Sequence, residues 1–124
     1  MRKPNLWIVS LLLTLPMSGI GQQSEVEDAL KKGDANALST YLSKSVDLSI
    51  PGHEKTVTAA EAVKALSGFF QQQGVKGYKK MHSSTPQQGR ANFTIGDLFT
   101  AKGTYRLTLF FNQEHKISEV SIRQ

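Results

Sequence analysis

Asp97, Tyr105 and His82 are the side chains of this 124-residue chain best suited to moving a proton. Desolvation holds a carboxylate on an apolar face in its neutral form, so that it can act as a general acid or base. A phenol can donate to a developing oxyanion, and an imidazole titrates near neutral pH. Whether the three meet depends on one residue of register in the hairpin made by residues 90–100 and 104–112. With a three-residue loop at Ala101-Lys102-Gly103, Gly103 takes the left-handed position that such loops favour. Phe93, Ile95, Asp97 and Phe99 then share the helix-covered face with Tyr105, Leu107, Leu109 and Phe111, and Asp97 lies one pair from Tyr105. With a two-residue loop Asp97 faces Arg106, and with four it faces Thr108 and lies diagonal to Arg106. Both alternatives make it an outer-face contact worth well under about 1 kcal/mol. The apolar matching of Phe93 and Ile95 favours the first register. His82 can face the same pocket as Tyr78, four residues earlier on its strand, and an exposed strand histidine is its default reading.

Other reactive patterns are missing. The chain has no cysteine, which removes thiol catalysis, thiolate zinc sites and iron–sulfur clusters. His53, His82 and His115 lack ligand spacing, so no metal site is expected, and no cofactor either. There is no Gly-x-Ser-x-Gly elbow and no glycine-rich phosphate loop. Asn92-Phe93-Thr94 matches a glycosylation sequon but falls inside a strand. Lys76, Lys79 and Lys80 form a small basic patch at a strand edge, where lysine discourages further pairing.

The elements that must position these residues are marked by caps and periodicity. Ser24 with Glu27 is a capping box for a helix carrying Val26, Ala29 and Leu30 and ending at Gly33. Asp34 caps a second short helix with Ala37, Leu38, Tyr41 and Leu42. Val46, Leu48 and Ile50 alternate with Asp47 and Ser49 as a strand, Pro51-Gly52 turns the chain, and residues 54–57 return. Thr58 with Glu61 opens a third helix with Ala62, Val63, Ala65, Leu66, Phe69 and Phe70 inward, stopped by Gly74. Strands are expected over 75–83, 90–100, 104–112 and 116–123, with a loop at Thr85-Pro86-Gln87-Gln88-Gly89 and a bulge near Ser118-Glu119. Helices and strands are segregated, in the order α-α-β-β-α-β-β-β-β. The fold class is therefore α+β: three helices packed on a curved, mostly antiparallel sheet, cone-like in shape. Amphipathic helices must bury their stripes, so all three cover one face.

Residues 1–21 read as a secretory signal peptide. Arg2 and Lys3 are basic, Leu6 to Leu15 is an apolar run, Pro16 breaks it, and Gly19-Ile20-Gly21 is a small-x-small cleavage site. The run is too short to span a bilayer, which takes about 20 apolar residues. No cysteine follows it for lipid attachment. The expected product is exported, periplasmic or secreted, and not membrane-spanning after cleavage near Gly21. It is a single domain, residues 22–124. Removing Arg2 and Lys3 from the 15 basic residues leaves 13 against 10 acids, a net charge of +3. The basic excess falls in residues 62–124, but without the dense basic and aromatic clusters of a nucleic-acid binder, so no nucleic-acid partner is expected.

The element order, together with Phe93-Thr-Ile-Gly-Asp-Leu-Phe-Thr-Ala-Lys-Gly-Thr-Tyr-Arg106, resembles the nuclear transport factor 2-like superfamily of cystatin-like α+β cones. Within it the chain resembles a family of small exported bacterial proteins of uncharacterised function. The resemblance implies a curved sheet wrapped on helices with a pocket at the open end, and often a dimer through the sheet. It covers isomerases, dehydratases, ligand binders and interaction modules. The superfamily's ketosteroid isomerase keeps a protonated Asp in an oxyanion hole with a Tyr, the role it would imply for Asp97 and Tyr105. The first functional reading is a non-catalytic module for a small apolar ligand or an envelope partner, its pocket lined by Phe69, Phe93, Tyr105, Leu107 and Leu109. The second is an isomerase or dehydratase using Asp97 with Tyr105 or His82. The third is a structural homodimer with a filled cone, joined through Arg106, Thr108 and Phe110 on the sheet's outer face.

Overall fold

The computed structural model describes residues 18–84 and 92–124, with side chains from Ser24 onward. The basic and apolar regions of the expected leader and the Thr85–Gly89 loop lie outside the described residues. The order of elements is α1 (Ser18–Lys32), a 3₁₀ helix (Ala35–Tyr41), β1 (Leu42–Ile50), β2 (His53–Thr58), α2 (Ala59–Gln73), β3 (Val75–Ser83), β4 (Asn92–Thr100), β5 (Gly103–Phe111) and β6 (Ile117–Arg123). The strands form a curved, unclosed sheet in the order β2-β1-β6-β5-β4-β3, antiparallel except where β1 meets β6. This is the expected α+β architecture, with the second helix wound as 3₁₀.

Local chemistry accounts for most of the boundaries. Thr58 and Glu61 form a complete capping box at the start of α2, and Gly74 ends it in the left-handed region at φ 71°. Hydrogen bonds from Thr58 hold the Glu61 carboxyl below the usual carboxylate range. Asp34 caps the 3₁₀ helix by accepting from the Ala37 amide at 3.2 Å. The start of α1 differs from expectation. The helix runs through Ser24 back to Ser18, so the Ser24–Glu27 box does not cap it, because the residues before Ser24 already continue the backbone ladder. The bulge near Ser118 is present, where β5 and β6 slip between the Phe111–Ile117 and Phe110–Glu119 pairs.

The core lies between the helices and one face of the sheet. α1 contributes Val26, Ala29 and Leu30, and α2 contributes Ala62, Leu66, Phe69 and Phe70. The sheet supplies Val46, Leu48, Tyr105, Leu107, Leu109, Val120 and Ile122 among others. All the described core residues fall between Val26 and Ile122. Tyr105 stacks edge-to-face on Phe69 at 5.2 Å and donates from its hydroxyl to Gln73 Oε1 at 2.9 Å. That bond ties β5 to the end of α2.

The hairpin between β4 and β5 has the two-residue register: Thr100 pairs with Gly103, Leu98 with Tyr105 and Asp97 with Arg106. The inner face of β4 therefore carries Thr94, Leu98 and Thr100, all buried, with Gly96 between them. Phe93, Ile95, Asp97 and Phe99 point outward, so the three-residue register is corrected. The reason is local. The Thr100 hydroxyl donates to the Gly103 carbonyl at 2.6 Å and accepts from the Lys102 amide at 3.1 Å, which closes the turn one residue early. The Ala101 amide then donates to the Gly74 carbonyl at 2.8 Å, seating the hairpin tip on the end of α2.

Gly96 is where β3 and β4 fit most tightly. A Cβ there would touch Tyr78 Oη, and would stand 2.5 Å from Tyr78 Cζ and 2.6 Å from the Lys79 carbonyl oxygen. The Tyr78 ring thus fills the space that a side chain at 96 would take. A Gly96→Ala substitution should cost about 3 kcal/mol, because the Lys79 backbone cannot retreat without breaking the strand pair. Tyr78→Phe should change stability by less than about 1 kcal/mol, since the Tyr78 hydroxyl has no protein partner to strand. It should not rescue Gly96→Ala. Urea unfolding of the two single variants and the double variant checks all three statements, and an alanine at 96 as stable as glycine would overturn the pairing described.

Burial, with the Glu27 and Asp97 charges next in order, pushes the Tyr78 phenol up from its ordinary value of 10.0. The sign is fixed by linkage. Below pH 10 both folded and unfolded chains keep the proton, and the contribution of Tyr78 is whole. Above it the unfolded chain ionises first, so stability falls by up to about 1.4 kcal/mol per pH unit from this one group. Denaturant unfolding across the alkaline range should show that limb in the wild type and a shallower one in Tyr78→Phe.

Candidate functional site

The proton-moving residues do not converge. Tyr105 is buried on the inner face with its hydroxyl on Gln73, whereas Asp97 is on the outer face, 3.1 Å from Arg106 Nε in an ion pair. The sheet separates them. His82 is also on the outer face. β3 and β4 slip between Lys80 and His82, so His82 pairs with Ile95 rather than following Tyr78 inward. An extra residue in one strand turns every later side chain over. Among the described residues no cluster of three or more His, Asp or Glu could hold a metal ion.

The candidates for a ligand pocket divide in the same way. Phe69, Leu107 and Leu109 are on the helix-covered face and buried at 7, 0 and 1% exposure, packed against other core side chains. Phe93 is on the opposite face, which corrects its place in a common pocket with them. It follows Asp97 outward because residues two apart on a strand share a face.

The outer face is where unspent apolar surface collects. Phe93 and Phe110 are cross-strand partners with ring centroids 6.0 Å apart, and His82 stands 5.7 Å from Phe93. Ile95 extends the patch along β4. Phe99 is 38% exposed on the same strand, and Met81, at the β3 slip, is 54% exposed. Arg106, Thr108 and Phe110 share the outer face of β5, as their alternation requires.

The strand registers lay the outer face out in rows. One row runs Asp47, Glu119, Phe110, Phe93 across β1, β6, β5 and β4. The next runs Ser49, Ser121, Thr108, Ile95 and reaches His82 on β3. The third runs Arg123, Arg106, Asp97, Lys79. Acids therefore lie to one side of the central row, in the same row as Phe110 and Phe93, and an excess of cations lies to the other. Phe93, Ile95 and Phe99 were legible as an apolar set; their outward direction was not, because it depends on the Thr100 turn.

No helix among the described residues is long and apolar enough to cross a membrane. No curated protein matches the chain. Among the solved structures that resemble it are the following three. A DUF4783 family protein from Bacteroides fragilis YCH46 is 29% identical, with a TM-score of 0.73 over 89% of this chain and 99% of that one. A protein from Silicibacter pomeroyi with a cystatin-like fold is 16% identical, with a TM-score of 0.59 over 82% of this chain and 72% of that one. A steroid delta-isomerase from Pseudomonas aeruginosa is 14% identical, with a TM-score of 0.60 over 90% and 83%. The last two likenesses are of fold alone. Residues 23–124 match the family described as a domain of unknown function, DUF4783, and the chain belongs to that family.

Proposed function

We propose that this chain is an exported, non-catalytic interaction module that works through the outer face of its sheet, and that its first partner is a second copy of itself. One observation carries the reading: β4 turns the more apolar of its two sides away from the core. Phe93, Ile95 and Phe99 point out, while Thr94, Gly96 and Thr100 occupy three of the five inner places. A fully buried Phe or Ile contributes roughly 2 kcal/mol, and a single chain leaves much of that unrealised on three positions of one strand. The neighbouring Phe110 enlarges the patch, and contiguous apolar surface rimmed by charge marks an association face.

The charges favour a copy of the same surface. A two-fold axis running across the strands along the Ile95, Thr108, Ser121 row lays one outer face on the other. Glu119 then meets Arg123 of the partner subunit, and Phe110 meets the guanidinium of the partner subunit's Arg106, an arrangement suited to cation–π stacking. Self-complementarity of this kind is what an isologous dimer requires. Export is supported by the basic, apolar and small-residue segments of residues 1–21. The separation of Asp97 from Tyr105 by the sheet weighs against the isomerase reading.

Sedimentation of residues 22–124 across the micromolar range should give a dimer. Phe110→Glu should give a folded monomer, because the side chain is at the surface of one chain and its loss leaves the core intact. Glu119→Arg should weaken the dimer by about tenfold or more, and adding Arg123→Glu should restore it, since the swap re-forms the same pairs. A wild-type monomer throughout, or a dimer indifferent to Phe110→Glu, would overturn the reading.

A further inference from the structure

At one end of the molecule three elements are seated on one another. A Cβ on Gly33 would stand 2.8 Å from the Val75 Cβ, so the end of α1 rests on the start of β3. Val75 pairs with Thr100, and the Ala101 amide reaches the Gly74 carbonyl, which brings in the β4–β5 turn. Each seat has exposed lysine beside it: Lys31 and Lys32 close α1, Lys76 follows Val75, and Lys102 follows Ala101. None of these lysines makes an ion pair among the described residues. The neighbouring acids do little to offset them. Asp34 turns to cap the Ala37 amide and Asp97 is held by Arg106, which leaves Asp28 one turn back on α1. Phe99 belongs to the same end. It pairs with Gly77 on β3 and Thr104 on β5. Its Cδ2 lies 3.9 Å from the place a Gly77 Cβ would take, so no side chain at 77 covers the ring, and Phe99 stays 38% exposed.

We infer that this end of the molecule is a docking surface for an anionic phospholipid bilayer, with the lysine ammonium groups at the headgroup phosphates and the Phe99 ring at the boundary beneath them. Binding at a bilayer surface grows with apolar contact and with attraction to anionic lipid, and this end supplies both. Lysine suits mobile headgroups. Its ammonium is a compact charge on a flexible stem, and it needs none of the fixed fork geometry that arginine uses. The cations stand on the ends of three separate elements, so a plane meets them together, whereas a single-stranded polyanion follows a continuous basic groove. An apolar ring among them gains nothing from a hydrated polyanion and gains burial from lipid. The surface is distinct from the association face. Phe99 lies two rows beyond the Ile95 row, so a face-to-face pair about that row leaves the lysines at its ends, and either proposal can fail alone.

Residues 22–124, which hold every described core residue, should co-sediment with vesicles of equal parts phosphatidylglycerol and phosphatidylcholine, and not with vesicles of phosphatidylcholine alone. Binding should fall as salt is raised, because exposed charges are screened. Lys32→Gln, Lys76→Gln and Lys102→Gln combined should weaken it by about a hundredfold, at roughly fivefold for each lysine near an anionic surface. All three side chains are exposed, so the core is untouched, and an unchanged circular dichroism spectrum checks that the variant is folded. The chain's single tryptophan, Trp7, lies outside residues 22–124, so Phe99→Trp reports on position 99 alone. Its emission should move to shorter wavelength on the anionic vesicles and stay in place with heparin, a soluble polyanion that offers no apolar boundary. Phe110→Glu, the variant expected to be a monomer, should still bind the anionic vesicles. Equal binding to both vesicles, undiminished binding by the triple lysine variant, an emission unmoved by lipid or moved as far by heparin, or loss of binding in Phe110→Glu would each overturn the inference.

Discussion

The architecture turns on the register of one hairpin. Thr100 uses its hydroxyl twice, towards Gly103 and Lys102, and so closes the β4–β5 turn over two residues. Because side chains alternate along a strand, that choice decides the face of every residue from 92 to 100. The competing register would bury Phe93, Ile95 and Phe99, but would also bury Asp97 away from Arg106. An unpaired buried carboxylate costs several kcal/mol, comparable to what the three apolar side chains would return. It would also point Gly96 outward and bring a side chain under Tyr78. The Ala101 amide bonds to the last carbonyls of α2 add to the balance, since they exist only when the tip has its observed length.

From that register follow two surfaces of opposite character. Inside, β4 presents small residues, and the vacancy at Gly96 admits the Tyr78 ring from β3. The phenol is carried so deep that its oxygen is buried without a protein partner, which leaves a polar point in an apolar cleft. Outside, the same strand gathers aromatic and branched side chains beside Phe110, flanked by acids on one side and cations on the other. The interior of β4 is under-filled by its own side chains and its exterior over-supplied.

Much of this was legible in the residues. Capping box and terminal glycine located α2, because caps are local hydrogen-bond chemistry. Alternation over Tyr105, Leu107, Leu109 and Phe111 identified β5 and its inner face, because apolar residues of period two next to amphipathic helices have one sensible direction. What failed was non-local. Phe93 and Ile95 were expected inward because apolar side chains usually are, and the Thr100 turn overrode them. His82 was read by default as an exposed strand histidine, and it is exposed; the slip after Lys80 that excludes the alternative place beside Tyr78 has no residue signature of its own. The Tyr78–Gly96 contact depends on both irregularities at once. Ser24 and Glu27 form a sound capping sequence, yet a helix begins at its cap only when the preceding residues leave the ladder.

A slip in β3 and a tight turn after β4 therefore do the same kind of work. Each converts a residue that alternation would bury into one that solvent or a partner can reach: His82 in one case, Phe93 and Ile95 in the other. Irregularities cost ladder hydrogen bonds or conformational freedom, so they persist where the displaced side chains gain more elsewhere. In a chain with no disulfide to offset a weakened core, the gain has to come from contacts. Inside, Tyr78 supplies it by filling the space over Gly96. Outside, the described residues of a single chain leave Phe93, Ile95 and Phe110 partly exposed, and the proposed pairing with a second copy is what would cover them.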